Sequence, residues 1–133
     1  MKILLIVVGK TDQKWLIDGI GQYTERLTHF AQFEMQVIPD IRNTKNMDFQ
    51  TQKVREGEQI LNLLQPSDDV WLLDDKGKEM SSPEMAQWLE KRMSQSTKRL
   101  VFIIGGPYGF SPHVYSRGPG RLSLSKKTLS QQM

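Results

Sequence analysis

Hydrophobic and polar positions fall into blocks along the 133 residues. "ILLIVV" (residues 3–8) is an unbroken apolar run, the pattern of a strand covered on both faces. From Asp12 to Phe30 the period lengthens. Leu16, Ile20, Tyr23, Leu27 and Phe30 recur at i, i+4, i+7, i+11 and i+14, which predicts a helix. "FEMQVIP" alternates and stops at Pro39, a second strand, and the polar "DIRNTKNMD" follows as a loop. Between Asp48 and Leu64 a second helical stripe carries Val54, Gly57, Leu61 and Leu64 and ends before Pro66. "DDVWLLD" reads as the third strand and "DKGKEMS" as a loop. Ser82-Pro83-Glu84 has the order of a helix start, with serine as N-cap, proline at the first position and an acid in the first turn. Met85, Trp88, Leu89 and Met93 form its inward face. "RLVFII" is the fourth strand, Ser111-Pro112 opens a short helix, and "RLSLS" is a weak fifth strand. The order βαβαβαβ(α)β predicts one α/β domain over residues 1–133, with a mostly parallel sheet and helices on both faces.

Composition narrows the chemistry. There is no cysteine, so disulfides and thiolate metal sites are excluded, and His29 and His113 lie far apart without ligand spacing, so no metal is expected. The opening apolar run is too short for a signal peptide and no segment reaches the length of a membrane span, so the expected location is cytoplasmic. The net charge of +3 is unevenly spread. Residues 1–90 hold 10 Lys/Arg and all 15 Asp/Glu, whereas residues 91–133 hold 8 Lys/Arg and no acid. A segment of one sign fits an anionic partner, nucleic acid first, although on charge alone a solvated surface reads equally well.

The fourth strand runs directly into Gly105-Gly106-Pro107-Tyr108-Gly109. In a parallel sheet, ligands bind beyond the carboxyl ends of the strands, and glycine lets a ligand reach the backbone. Such a turn offers N–H and C=O groups, which suits an adenine or a small polar cofactor better than a triphosphate; a tight turn without ligand is the plainer alternative. Neither a Walker-type nor a dinucleotide-type glycine motif is present. The bare G-x-x-G of residues 106–109 follows a strand, whereas a KH loop joins two helices. Two further polar turns end strands, "LLDDKGK" and "SLSKKTLSQQM", and the three could meet in one pocket. No nucleophile elbow or Cys–His pair occurs, adjacent Asp74 and Asp75 read as a strand end, and the three tryptophans lie on apolar stripes that read as core.

"MKILLIVVGK", "EGEQIL" (56–61), "LLDDKGKEMSS" (72–82), "FIIGGPYGFS" and "LSLSKKTLSQQM" (122–133) stand in the order of one family. Along its whole length the chain resembles the RlmH-type enzymes of the SPOUT superfamily. These are trefoil-knotted methyltransferases that modify N3 of a pseudouridine in large-subunit ribosomal RNA. The resemblance implies a C-terminal trefoil knot, S-adenosyl-L-methionine as methyl donor, and a homodimer with RNA lying across both subunits. By position it places cofactor contacts on Leu73, Gly105, Leu124, Ser125, Lys126, Lys127, Thr128 and Leu129. Arg117, Arg121, Lys126 and Lys127 are the expected RNA contacts, as the cations nearest those turns; no catalytic base is identified. Lys127 and Gln131 depart from the methionine and histidine usual in the family. Family members also continue past the methionine matching Met133 into one further helix, so these residues alone are expected to form a weakened dimer of low or no activity. Two other readings remain beside the enzyme: an inactive RNA- or ribosome-binding homologue, and a small nucleotide-binding α/β module.

Overall fold

The structure, a computed structural model, describes residues 1–9, 14–27, 32–39, 48–95, 97–105 and 109–124. Among these described residues nine elements follow in order: β1 (Lys2–Val8), α1 (Lys14–Leu27), β2 (Gln32–Ile38), α2 (Phe49–Leu63), β3 (Asp69–Glu79), α3 (Ser82–Ser94), β4 (Arg99–Ile104), α4 (Pro112–Arg117) and β5 (Gly120–Ser123). The strands make one sheet in the order β2-β1-β4-β3-β5, and every pairing is parallel.

Parallel strands need crossovers, and the helices supply them on alternating faces. Ile3, Leu5, Val7, Leu100 and Phe102 pack with Leu16 and Ile20 of α1 and Met85 and Leu89 of α3. Leu4, Ile6, Val101, Ile103 and Leu72 pack on the other face with Ile60 of α2 and Val114 of α4. Both faces of β1 and β4 are thereby covered, which is why their sequences are continuously apolar rather than alternating. Crossovers toward the β2 edge use the α1/α3 face and those toward β5 use the α2/α4 face, so all four share one hand.

Four sequence expectations shift. The third strand does not stop at the aspartates: β3 runs to Glu79, and Leu122 of β5 is paired first with Leu73 and again with Lys78. Residues 74–77 bulge between those two registers, and Gly77 admits the close approach, since a Cβ there would lie 2.7 Å from the Leu122 backbone nitrogen. The polar "DKGKE" reads as a loop because its ladder partner lies more than forty residues downstream. The N-cap of α3 is Ser81 rather than Ser82; its hydroxyl accepts from the Glu84 N–H, and the Glu84 carboxylate accepts from the Ser81 N–H. On α3, Met93 is 37% exposed, while Trp88 stacks edge-on to Trp71 at 4.9 Å and Arg92 lies over both rings. On α2 the buried positions are Glu56, Gly57 and Ile60, and Val54 is 39% exposed. That stripe is rotated because α2 must meet α4 as well as the sheet: Gly57 lies directly against Ser111 and Val114.

The amino end of the sheet is tied by charge. Arg99 at the start of β4 donates from Nε and Nη2 to the two oxygens of Asp68 (2.9 and 2.5 Å) and from Nη2 to the Leu63 carbonyl. Asp68 also accepts from the Gln65 N–H at 2.7 Å. The Asp68 carboxylate raises the already high pKa of the Arg99 guanidinium, so the pair is fixed as an ion pair.

Candidate functional site

The carboxyl ends of β4 and β3 leave the sheet in opposite directions, β4 toward α4 on one face and β3 toward α3 on the other. In open parallel sheets, ligands bind where adjacent strands part in this way, which makes this end the candidate crevice. The register sets what stands at its rim. Leu73 lies level with Ile104 of β4 and with Leu122 of β5, so the last β3 residue before the bulge stands one residue short of Gly105 and two short of Leu124 in register. Leu73 and Leu124 are both buried against the α1/α3 core, which leaves backbone as the group presented there. The bulge of residues 74–77 lies at the same end.

The backbone of the glycine turn has a partner of its own. The Phe110 ring occupies the volume beside the Gly105 Cα; a Cβ on Gly105 would lie 2.8 Å from Phe110 Cε1 and 2.9 Å from Cζ. The room left at Gly105 is therefore filled on that side by an aromatic edge, and any side chain there meets Phe110 first. Positive φ falls later in the turn, on Gly109 at +83°. Phe110 meets Tyr115 of α4 edge to face at 5.6 Å, and Arg121 of β5 lies over the Tyr115 ring at 4.2 Å from its centre. A continuous chain of contacts thus runs from Gly105 to an exposed guanidinium.

The residues expected to contact RNA separate. Arg121 sits next to Leu122 beside the crevice. Arg117 does not flank it. The helix α4 carries the chain back toward the amino end, where Arg117 donates from Nη2 to the carbonyls of Gln65 (2.7 Å) and Asp68 (3.2 Å). Asp68 precedes the strand that reaches the crevice at Leu73, five residues on, a separation on the order of 16 Å at strand rise. Lys126 and Lys127, with Ser125, Thr128 and Leu129, lie outside the described residues, as do residues 106–108 of the glycine turn. His113 is exposed on α4. Among the described residues no cluster of three or more His, Cys, Asp or Glu could hold a metal ion, and no helix is long and apolar enough to cross a membrane.

Sequence reasoning missed Phe110 and Tyr115. Their signal was an aromatic immediately after the glycines and a second one five residues on, across a Ser-Pro helix start.

All 133 residues match the family described as "Predicted SPOUT methyltransferase". The chain belongs to the SPOUT methyltransferase family. It is similar over its whole length to proteins named "Ribosomal RNA large subunit methyltransferase H" from Parabacteroides distasonis (54% identical), Phocaeicola vulgatus (53%) and Christiangramia forsetii (50%). The match covers 100% of this chain and 85% of each of those relatives. A SPOUT methyltransferase is an enzyme that needs a methyl donor and an acceptor, and the all-parallel α/β sheet is consistent with its fold. The expected knot falls on residues 125–133, outside the described residues.

Proposed function

We propose that this SPOUT methyltransferase transfers a methyl group from S-adenosyl-L-methionine to N3 of a pseudouridine in large-subunit ribosomal RNA. The observation that carries the reading is whole-chain identity of about one half to relatives named for large-subunit ribosomal RNA methylation. The crevice fits such a donor in kind. Leu73 is level with Ile104 and Leu122 on the neighbouring strands, so apolar residues and Gly105 stand together there with no charged side chain among them. Leu73, Gly105 and Leu124, continued by Ser125, Lys126, Lys127, Thr128 and Leu129, would hold the donor. When bound, the donor would supply a methyl group activated on a sulfonium; its C–S bond would break as the N3–C bond forms, leaving S-adenosylhomocysteine, and the N3 proton would be released. The protein's part is to exclude water and align the acceptor nitrogen, and no charged side chain has to provide the driving force.

Arg121, Lys126 and Lys127 would meet the RNA backbone beside the crevice, while Arg117 serves the far end of the sheet. Residues 1–133 would act as one domain in a cytoplasmic homodimer, with RNA spanning both subunits. The test is incubation with labelled S-adenosylmethionine and large ribosomal subunits lacking the modification, followed by nucleoside mass analysis. The expected product is 3-methylpseudouridine at a single site. RNA binding without transfer would support an inactive RNA-binding homologue instead. Donor binding with neither RNA binding nor transfer would support a nucleotide-binding module.

A further inference from the structure

We propose that the ring pair Phe110–Tyr115 is the positioning element of the site. Phe110 holds the Gly105 turn in the shape that receives the donor, and Tyr115 aims Arg121 at RNA. The donor half of this inference rests on the proposed use of the strand-end crevice. The RNA half stands on the placement of Arg121 and on RNA as the acceptor.

Two geometric observations carry it. First, the Phe110 ring is buried and reaches the Gly105 Cα so closely that a Cβ there would stand 2.8 Å from it. A flat ring in that position packs directly against the first residue after β4. Leucine would keep Phe110 apolar but could not extend the same flat edge along the turn. Second, Arg121 is exposed, and its guanidinium lies over the Tyr115 ring at 4.2 Å. A long side chain with many rotamers is thereby held against the ring before any partner arrives. Guanidinium planes and aromatic faces beside a reaction site are the groups that receive splayed RNA bases and phosphates. Tyr115 itself is braced edge to face by Phe110 at 5.6 Å, so both halves share one support.

The test measures two affinities independently of activity. Donor affinity is read by calorimetry with S-adenosylmethionine, and RNA affinity by titration of a large-subunit rRNA fragment over a salt series. Phe110→Leu should weaken donor binding at least tenfold. Leu89→Ala, which opens the core at α3 and lowers the melting temperature at least as far, should leave donor affinity within twofold. Phe110→Met serves in the same comparison if the leucine variant does not fold. Tyr115→Leu should weaken RNA binding about as much as Arg121→Ala although it removes no charge, and Tyr115→Phe, which keeps the ring, should stay within twofold of wild type. Donor binding by Phe110→Leu within twofold of wild type, or an equal loss in Leu89→Ala, would overturn the role of Phe110. Tyr115→Leu binding RNA like wild type would overturn that of Tyr115. A wild-type protein that binds no donor would refute the proposed function itself and the donor half with it, a result distinguishable from failure of the Phe110 variant alone.

Discussion

Arg117 and Arg121 stand four residues apart in an acid-free segment, and composition treats them alike. The structure separates them. Arg117 is committed to backbone carbonyls of the α2–β3 turn, whereas Arg121 rests on a tyrosine ring beside the crevice. Arg117→Ala should therefore cost about 1.5–3 kcal/mol of stability, the usual worth of hydrogen bonds from a charged donor, and leave the salt dependence of RNA binding unchanged. Arg121→Ala should do the reverse. The slope of log affinity against log salt should fall by about 0.7–0.9 with little change in denaturant midpoint. Asp68 gives a second residue-scale outcome. Its side chain is fully buried and neutralises Arg99 through two hydrogen bonds, so Asp68→Ala should destabilise by about 3–5 kcal/mol in urea unfolding. The sequence made the excess of cations legible but not their targets, because a guanidinium's partners are chosen by tertiary placement. The glycine turn was legible as a site candidate for the same reason it is unusual, a buried strand ending on residues without side chains. Phe110, which occupies the space beside Gly105, was marked only by its place directly after the glycines, and its contact with Gly105 came from tertiary packing.

At the scale of elements, apolar runs, periodicity and helix-start residues located every strand and helix among the described residues, and the misreadings fell where a distant partner overrides a local pattern. "DKGKE" is polar and lacks alternation, yet it extends β3 because β5 supplies its hydrogen bonds across a bulge. Gly77→Val should drive its side chain into the β5 backbone. The expected result is a marked loss of stability, together with weaker donor binding, because Leu122 and Leu124 follow directly on that contact. On α2, Gly57 is buried as the stripe expected, but Glu56 and Ile60 take the other buried places and Val54 is exposed, because a buried glutamate stands where apolar residues were sought. The start of α3 was displaced by one residue, since two adjacent serines offer the same cap and only the reciprocal Ser81–Glu84 bonds choose between them. Those bonds, the Ser81 N–H first, hold the Glu84 carboxyl below the ordinary glutamate range. A lowered folded-state value means that the cap's contribution is complete above the unfolded pKa and is lost as pH falls through the folded one. Stability should decline on the acid side for this reason, and Glu84→Gln should reduce the difference between urea midpoints measured at pH 7 and pH 3. Ser81→Ala, which removes the cap at every pH, should cost about 1 kcal/mol.

For the molecule as a whole, the change of period along the chain sufficed for an α/β fold with a parallel sheet and helices on both faces. Strand order did not follow from it. The order β2-β1-β4-β3-β5 is what places Leu73 of β3 between the end of β4 and Leu122 of β5. The three turns chosen from sequence as a shared pocket lie on neighbouring strands because β5 pairs with β3 rather than with β4, which precedes it in the chain. The central claim is that the donor lies across Leu73, Gly105 and the residues that follow β5. Hydrogen–deuterium exchange of the free protein and of the protein saturated with S-adenosylmethionine tests it most directly. Protection should concentrate in residues 72–80, 104–111 and 122–129. Protection centred instead on the amino-end groove formed by Lys2, Gln32, Glu34 and Lys98, with those three segments unchanged, would contradict the account.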